Sequence, residues 1–319
     1  MRKYLYSFTL SLLTFFAFCA CSNVDIEISR HVVVNVAPHS VIENIRYEVN
    51  ANDIQNLSLS NGYKLRTRLL FYNSEGNQVV FDNTSVQYLD SYDKEMRVSG
   101  LPIADGDYTI IAITDVVLLD NSGRVTDEYW TMKGESNIST LKIDYVKKDN
   151  NNGFVHSRGI LGIGKQKVTI PYAGQEITVR PTMAGSLVVF YYKGIHSFND
   201  ISQYGMLTDW IPGNVTFDRD GDFHATAEHP ANTVSTLEYG YVDLFKPTGV
   251  AYADAPDVAT YYFTFPSAGG TNNFRFVYNS TAKAPMSQPL VTGGEYEFRI
   301  DLTSANVIKD ITTSFTKKN

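Results

Sequence analysis

Past residue 21, this chain of 319 residues contains no cysteine. That excludes a disulfide framework from nearly the whole sequence, together with thiolate chemistry and cysteine-bound metal. Stability there must come from burial. Basic residues are also scarce: 27 Lys and Arg stand against 34 Asp and Glu, a formal charge of −7. Binding to a phosphate backbone rests on Lys and Arg, so this balance argues against nucleic acid as a partner. G-x-S-x-G, H-E-x-x-H, P-loop and G-x-G-x-x-G strand–helix signatures are all missing. The sequence therefore offers no catalytic residue and no cofactor site. Aromatic residues, by contrast, are plentiful. There are 21 Tyr and 18 Phe, and 43% of residues are hydrophobic, the composition of a folded chain.

Both cysteines lie in the stretch LLTFFAFCACSN, residues 12–23. Before it comes Met1-Arg2-Lys3, then an uncharged run from Tyr4 to Ala20. A basic start, a short apolar segment and a small residue are the layout of a secretory signal peptide. A membrane span needs about 20 predominantly apolar residues, and this run is interrupted by Ser7, Thr9, Ser11 and Thr14. The stretch Phe18-Cys19-Ala20-Cys21 resembles a bacterial lipobox. It departs from the usual pattern at Phe18 and Cys19, where Leu and a small residue are common. The resemblance implies cleavage after Ala20, loss of Cys19 with the leader, and lipid on the sulfur of Cys21. Losing the two charges of Arg2 and Lys3 takes the formal charge from −7 to −9.

The rest of the chain alternates. KLRTRLLFY, DYTIIAITDVVLL, GSLVVFYY, YYFTFP, NFRFVY and GEYEFRIDL all have the period and the β-branched or aromatic density of strands. Between strands lie NSEGN, LDNSGR and DRDGD, each with Gly where a hairpin turn needs positive φ. SVIENIRYEVNANDIQNL leaves a short helix open. The polar stretch at residues 146–164 divides the chain nearly in half and reads as a linker. Each half carries a Gly, an acidic residue and a Tyr ahead of a strand: Gly106, Asp107 and Tyr108, then Gly294, Glu295 and Tyr296. Both rings are expected to pack inward. The expected fold is all-β, with two tandem antiparallel β-sandwich domains over residues 21–155 and 156–319, behind a signal peptide at 1–20.

Four groups of residues are candidates for chemistry. Ser91 to Lys94 match S-x-x-K in letters, but that motif needs a helix to bring the two side chains together. His224, Glu228 and His229 suggest a metal, yet strand residues four apart are about 13 Å apart, and His229 falls on the other face. Asp218, Asp220 and Asp222 have calcium-ligand spacing, but strands flank them, so Asp220-Gly221 reads as a hairpin turn. Trp130, Trp210, Tyr191-Tyr192 and Tyr261-Tyr262 could stack sugars; packing is the plainer role. No metal site is expected.

The lipobox, RLLFYNSEGNQV, LPIADGDYTIIAI and ITVRPTMAGSLVVFYY together resemble the fimbrillin and fimbrial-anchor lipoproteins of Bacteroidetes. The acidic cluster found after the lipidated cysteine in exported lipoproteins of that phylum is represented here only by Asp25 and Glu27. The resemblance implies transthyretin-like β-sandwich domains and an outer-membrane lipid anchor at Cys21. It also implies fimbrillin-type subunits as partners, joined by strand exchange. Such exchange uses main-chain hydrogen bonds and side-chain pockets and needs no catalytic group. The C-terminal NVIKDITTSFTKKN alternates, and would be either the donated strand or the last strand of its own sheet. The alternative is a glycan-binding lipoprotein of a polysaccharide importer, with the same anchor and outward-facing aromatics.

Overall fold

Long alternating segments become strands in a computed structural model of the chain. It describes residues 31–38, 59, 61–81, 86–146, 155–156, 159–171, 176–193, 204–208, 211–228, 235–236, 258–266, 272–278, 281–301 and 312–318. The leader, Ala20, Cys19, Cys21, Trp210, His229 and the segment at 40–57 lie outside the described residues. In the N-terminal part the strands are β1 His31–Val36, β2 Tyr63–Asn73, β3 Gln78–Val79, β4 Val86–Leu89, β5 Met96–Pro102, β6 Gly106–Leu119, β7 Val125–Glu128, β8 Trp130–Lys133, β9 Lys142–Tyr145, β10 Val155–His156, β11 Leu161–Ile170 and β12 Ile177–Val179. There follow β13 Thr182–Met183, β14 Ser186–Lys193, β15 Tyr204–Thr208, β16 Ile211–Phe217, β17 Phe223–Glu228, β18 Ser235–Thr236, β19 Val258–Thr264, β20 Asn272–Tyr278, β21 Thr281–Gln288, β22 Glu295–Asp301 and β23 Thr312–Lys318. The described residues contain no α-helix; a 3-10 turn spans Ile138–Thr140, and Gly159 is also in 3-10 conformation. The fold is all-β, as expected.

A seven-stranded sheet is the centre of the first sandwich. Its order is β13-β11-β6-β2-β3, with β4 also on β2 and β7 on β6. One face packs on the three-stranded sheet β12-β1-β5 through Val34, Val98, Ile177, Leu69, Phe71 and Ile110. The other face packs on the sheet β17-β16-β9-β8 through Leu70, Tyr72, Ile111, Ile113, Ile143 and Val215. Cover on both faces explains the composition of β6. Strand residues alternate between faces, so a strand wet on one side alternates in polarity, whereas one buried on both reads as a continuous apolar run. Residues 110 to 117 of β6 are all buried.

The remaining strands make a five-stranded sheet, β10-β19-β14-β22-β23, and a four-stranded one, β18-β15-β20-β21. Among the described strands two pairs are parallel, β1 with β12 and β14 with β22, and the other pairs are antiparallel. Parallel neighbours need a long crossover, which a hairpin-by-hairpin reading of sequence does not supply.

Strand pairing also passes across the expected division at 155/156. β11 lies beside β6 over ten residue pairs, β12 beside β1, and β16 beside β9. The two repeated tyrosines do pack inward. Tyr108 donates to the Ala104 carbonyl at 3.1 Å. Tyr296 accepts from the Val291 N–H at 3.0 Å and donates to the Pro289 carbonyl at 3.3 Å.

Candidate assembly surface

β1 sits between β5 and β12, which are not neighbours of each other. It pairs antiparallel with β5 from His31↔Pro102 to Val36↔Met96, and parallel with β12 from Val34↔Ile177 to Val36↔Val179. The alternation of HVVVNV sends Val32, Val34 and Val36 into the core. Fully burying a Val contributes about 1.5–3 kcal/mol. Asn35 points the other way, donates to Glu176 at 2.6 Å and accepts from Arg97 at 3.4 Å; Arg97 also pairs with Glu176. The Glu176 carboxyl is thereby held below its usual range, first by the Arg97 hydrogen bond and then by Asn35. Taking β1 away would leave a groove with unpaired backbone on both walls and an apolar floor.

β23 takes a different position. It is an edge strand, antiparallel to β22 from Glu295↔Lys318 to Asp301↔Thr312. In this structure it is therefore the last strand of its own sheet.

DRDGD is a turn. The Asp218 carboxylate accepts the backbone N–H groups of Asp220 and Asp222, both at 2.9 Å. Lys165 pairs with Asp222, and Lys167 with Asp220 at 2.7 Å. The Asp220 carboxyl is lowered by its Lys167 hydrogen bond, which in turn raises Lys167. These carboxylates are engaged by the backbone or by lysines, and no group of three or more potential metal ligands occurs among the described residues. Gly221 has φ +79°, and a Cβ there would lie 3.0 Å from Thr109 and 3.1 Å from Ile138. The turn is thus pressed against the end of the central sheet. A cleft of about 440 Å³ opens there, lined by Asp107, Lys167, Thr169, Arg219 and Asp220 among others. Within it, Thr169 donates to Asp107 at 2.6 Å.

Ser91 to Lys94 form a bend after β4, and Ser91 bonds to Asp93 rather than Lys94. His224 is exposed on β17. Trp130 is fully buried and stacks on Phe265 at 5.3 Å and 28°, with Tyr145 tilted against it at 5.4 Å. Its indole N–H donates to the Gly159 carbonyl at 2.7 Å. A ring so enclosed cannot stack a sugar.

Sequence reading missed a buried ion network. Arg66 grips Asp115 with two bonds of 2.9 and 2.6 Å, reaches Glu128 at 2.8 Å and donates to the Trp130 carbonyl at 3.1 Å. Arg68 reaches Asp115 at 3.4 Å. Burial works against the Arg66 charge, but Asp115 and Glu128 outweigh it and raise its pKa. For Arg68 burial wins, and its pKa is lowered. The available signal was charge in runs otherwise buried: R-T-R in β2, and the aspartate of IAITDVV in β6.

The sequence matches no family model, and no curated protein matches it. Solved structures do resemble it. The fimbrial anchor protein Mfa2 from Porphyromonas gingivalis is 12% identical, with a TM-score of 0.42, over 90% of this chain and 97% of that one. A fimbrial assembly protein from Parabacteroides distasonis is 12% identical, with a TM-score of 0.43, over 91% and 98%. A Bacteroides ovatus protein proposed as an adhesin is 9% identical, with a TM-score of 0.45, over 85% and 89%.

Proposed function

We propose that this chain is a lipid-anchored fimbrial subunit, an anchor or an accessory component, that joins other subunits by exchanging a strand. The observation that carries this is β1. It lies between two strands that do not pair with each other, bonds to both through its backbone, and fills the core with alternate valines. Main-chain pairing for affinity and alternate pockets for specificity are what a strand from another subunit would use. Cys21, lipidated after cleavage at Ala20, holds the chain to the outer membrane. Two or more acyl chains make such attachment stable where one is marginal. The function needs no catalytic step, metal or cofactor. Among the described residues no helix is long and apolar enough to cross a membrane.

The test has two arms. Radiolabelled palmitate should enter the wild-type protein and Cys19→Ser, and should not enter Cys21→Ser; labelling of Cys21→Ser refutes the anchor. The protein should capture a fimbrillin-type subunit encoded beside it and bind no glycan on an array. A glycan hit that disappears with Trp210→Ala would instead establish the importer reading.

A further inference from the structure

A sheet edge offers unpaired backbone to any other strand, and proteins blunt such edges with charge, proline, bulges or brevity. Among the described strands nearly every edge is blunted. β3, β10, β13 and β18 have two residues each, and β12 has three. β5 holds Gly100 at φ +75° and ends at Pro102. β7 carries Asp127 and Glu128, and β23 ends in Lys317 and Lys318. β21 has Lys283, Pro285 and a register break. On β17 the Ala227 N–H is bonded to the Pro266 carbonyl, and on β8 the Trp130 carbonyl is held by Arg66.

β4 is the contrast. Its sequence is VQYL, without charge, proline or glycine, and among the described residues it pairs with β2 alone. Val86 stands opposite Arg68, and Tyr88 opposite Arg66. Directly paired residues share a face, so both side chains project on the face of the arginine network. There they remain 38% and 40% exposed, with Val80 nearby in sequence at 74%. Gln87 points to the other face, where its amide donates to the Arg97 carbonyl at 3.2 Å and ties β4 to β5.

We propose that β4 pairs with β4 of a second copy of this chain, antiparallel, about a two-fold axis through Gln87. This register is self-complementary. Val86 meets the partner's Tyr88, and Tyr88 the partner's Val86, on one face; the two Gln87 amides meet on the other. Aromatic and β-branched residues are favourable cross-strand pairs, and like charges are not brought face to face. An isologous contact of this kind closes at two copies. It joins two central sheets into one and covers the exposed valine and tyrosine. Four residues bury well under a standard interface, so the association is weak, with a dissociation constant of about 10⁻⁵ to 10⁻³ M. The proposal rests on β4 alone and holds whether or not β1 is exchanged.

Disulfide trapping tests it in the full chain on cells. Gln87→Cys puts a thiol on the axis and should give a disulfide-linked dimer in mild oxidant. Ser122→Cys, exposed in the turn between β6 and β7, should give none beyond the wild-type background. Sedimentation of the purified full chain should show reversible dimers, weakened at least about tenfold by Val86→Lys with Tyr88→Lys. Both positions are exposed, and unchanged far-ultraviolet dichroism checks that the fold survives lysines set opposite Arg66 and Arg68. Equal trapping at positions 87 and 122, a wild-type chain still monomeric at about 1 mM, or dimers indifferent to the two lysines would each overturn the proposal.

Discussion

Three turns share one device. In NSEGN, DNSGR and DRDGD, the first residue, Asn73, Asp120 or Asp218, accepts backbone N–H groups two and four positions on. The fourth, Gly76, Gly123 or Gly221, takes positive φ, where a side chain is strained. Only two of the three capping groups can titrate. Asp120 is lowered to about 2, first by the Ser122 hydroxyl and then by the Arg124 N–H, with its ion pair to Arg124 at 3.0 Å adding to these. Because the folded value lies below the ordinary 3.8, its contribution is complete above 3.8 and is lost as pH falls toward about 2. Between those values, amide exchange at Ser122 and Arg124 should accelerate, while Glu75 and Asn77, bonded to the uncharged Asn73 amide, should keep their protection. Equal acceleration at both turns would mean that the whole molecule loosens in acid. The turns were legible in the sequence because Asn or Asp followed by Gly has a local cause. The network of Arg66, Arg68, Asp115 and Glu128 was not, because its members lie up to 62 residues apart and only the register of β2 on β6 and β6 on β7 joins them.

Strands such as β2, β6 and β22 could be read from period and composition, since each buried face selects its own residues. Their partners could not. HVVVNV has only six residues, and nothing in it announces a place between β5 and β12. The position matters because a strand bonded on both sides supports both neighbours. Val34 has no exposed surface. Val34→Asp would bury an unpaired carboxylate, which costs several kcal/mol even where the chain relaxes. Substitution of the exposed Arg97 by Ala should cost about 1 kcal/mol or less. Denaturant unfolding should separate the two variants clearly. If the groove can take a strand from outside, a synthetic peptide spanning residues 30–38, added in excess, should restore stability to Val34→Asp in proportion to its concentration. Restoration by a peptide with Asp in place of both Val32 and Val34 would show that the effect is not seating in the groove. No restoration by the native peptide would tell against strand exchange at β1.

At the scale of the whole molecule, the polar composition of residues 147–153 predicts a site of proteolysis, since exposed polar connections are the preferred places for nicking. Two tandem sandwiches divided at 155/156 would fall into two independent pieces after such a cut. Strand pairing argues otherwise. β11 follows the cut site yet lies along β6 from Leu161↔Asp115 to Ile170↔Gly106, in the middle of the seven-stranded sheet. β12 is bound to β1, and β16 to β9. The aromatic cluster is also shared: Trp130 and Tyr145 precede the site, while Phe263 and Phe265 follow it. Separating the pieces would therefore take β11 and β13 from the central sheet, β12 from one covering sheet and β16 and β17 from the other, opening both cores of the first sandwich to water. We expect limited trypsin treatment to cut at Lys147 or Lys148 and the two fragments to elute together, with unchanged far-ultraviolet dichroism, until denaturant is added. They should then separate in one transition, because the N-terminal piece retains none of the three sheets of the first sandwich whole. Fragments that part without denaturant and remain folded would restore the division at 155/156 and would make the pairing of β11 with β6 a secondary contact.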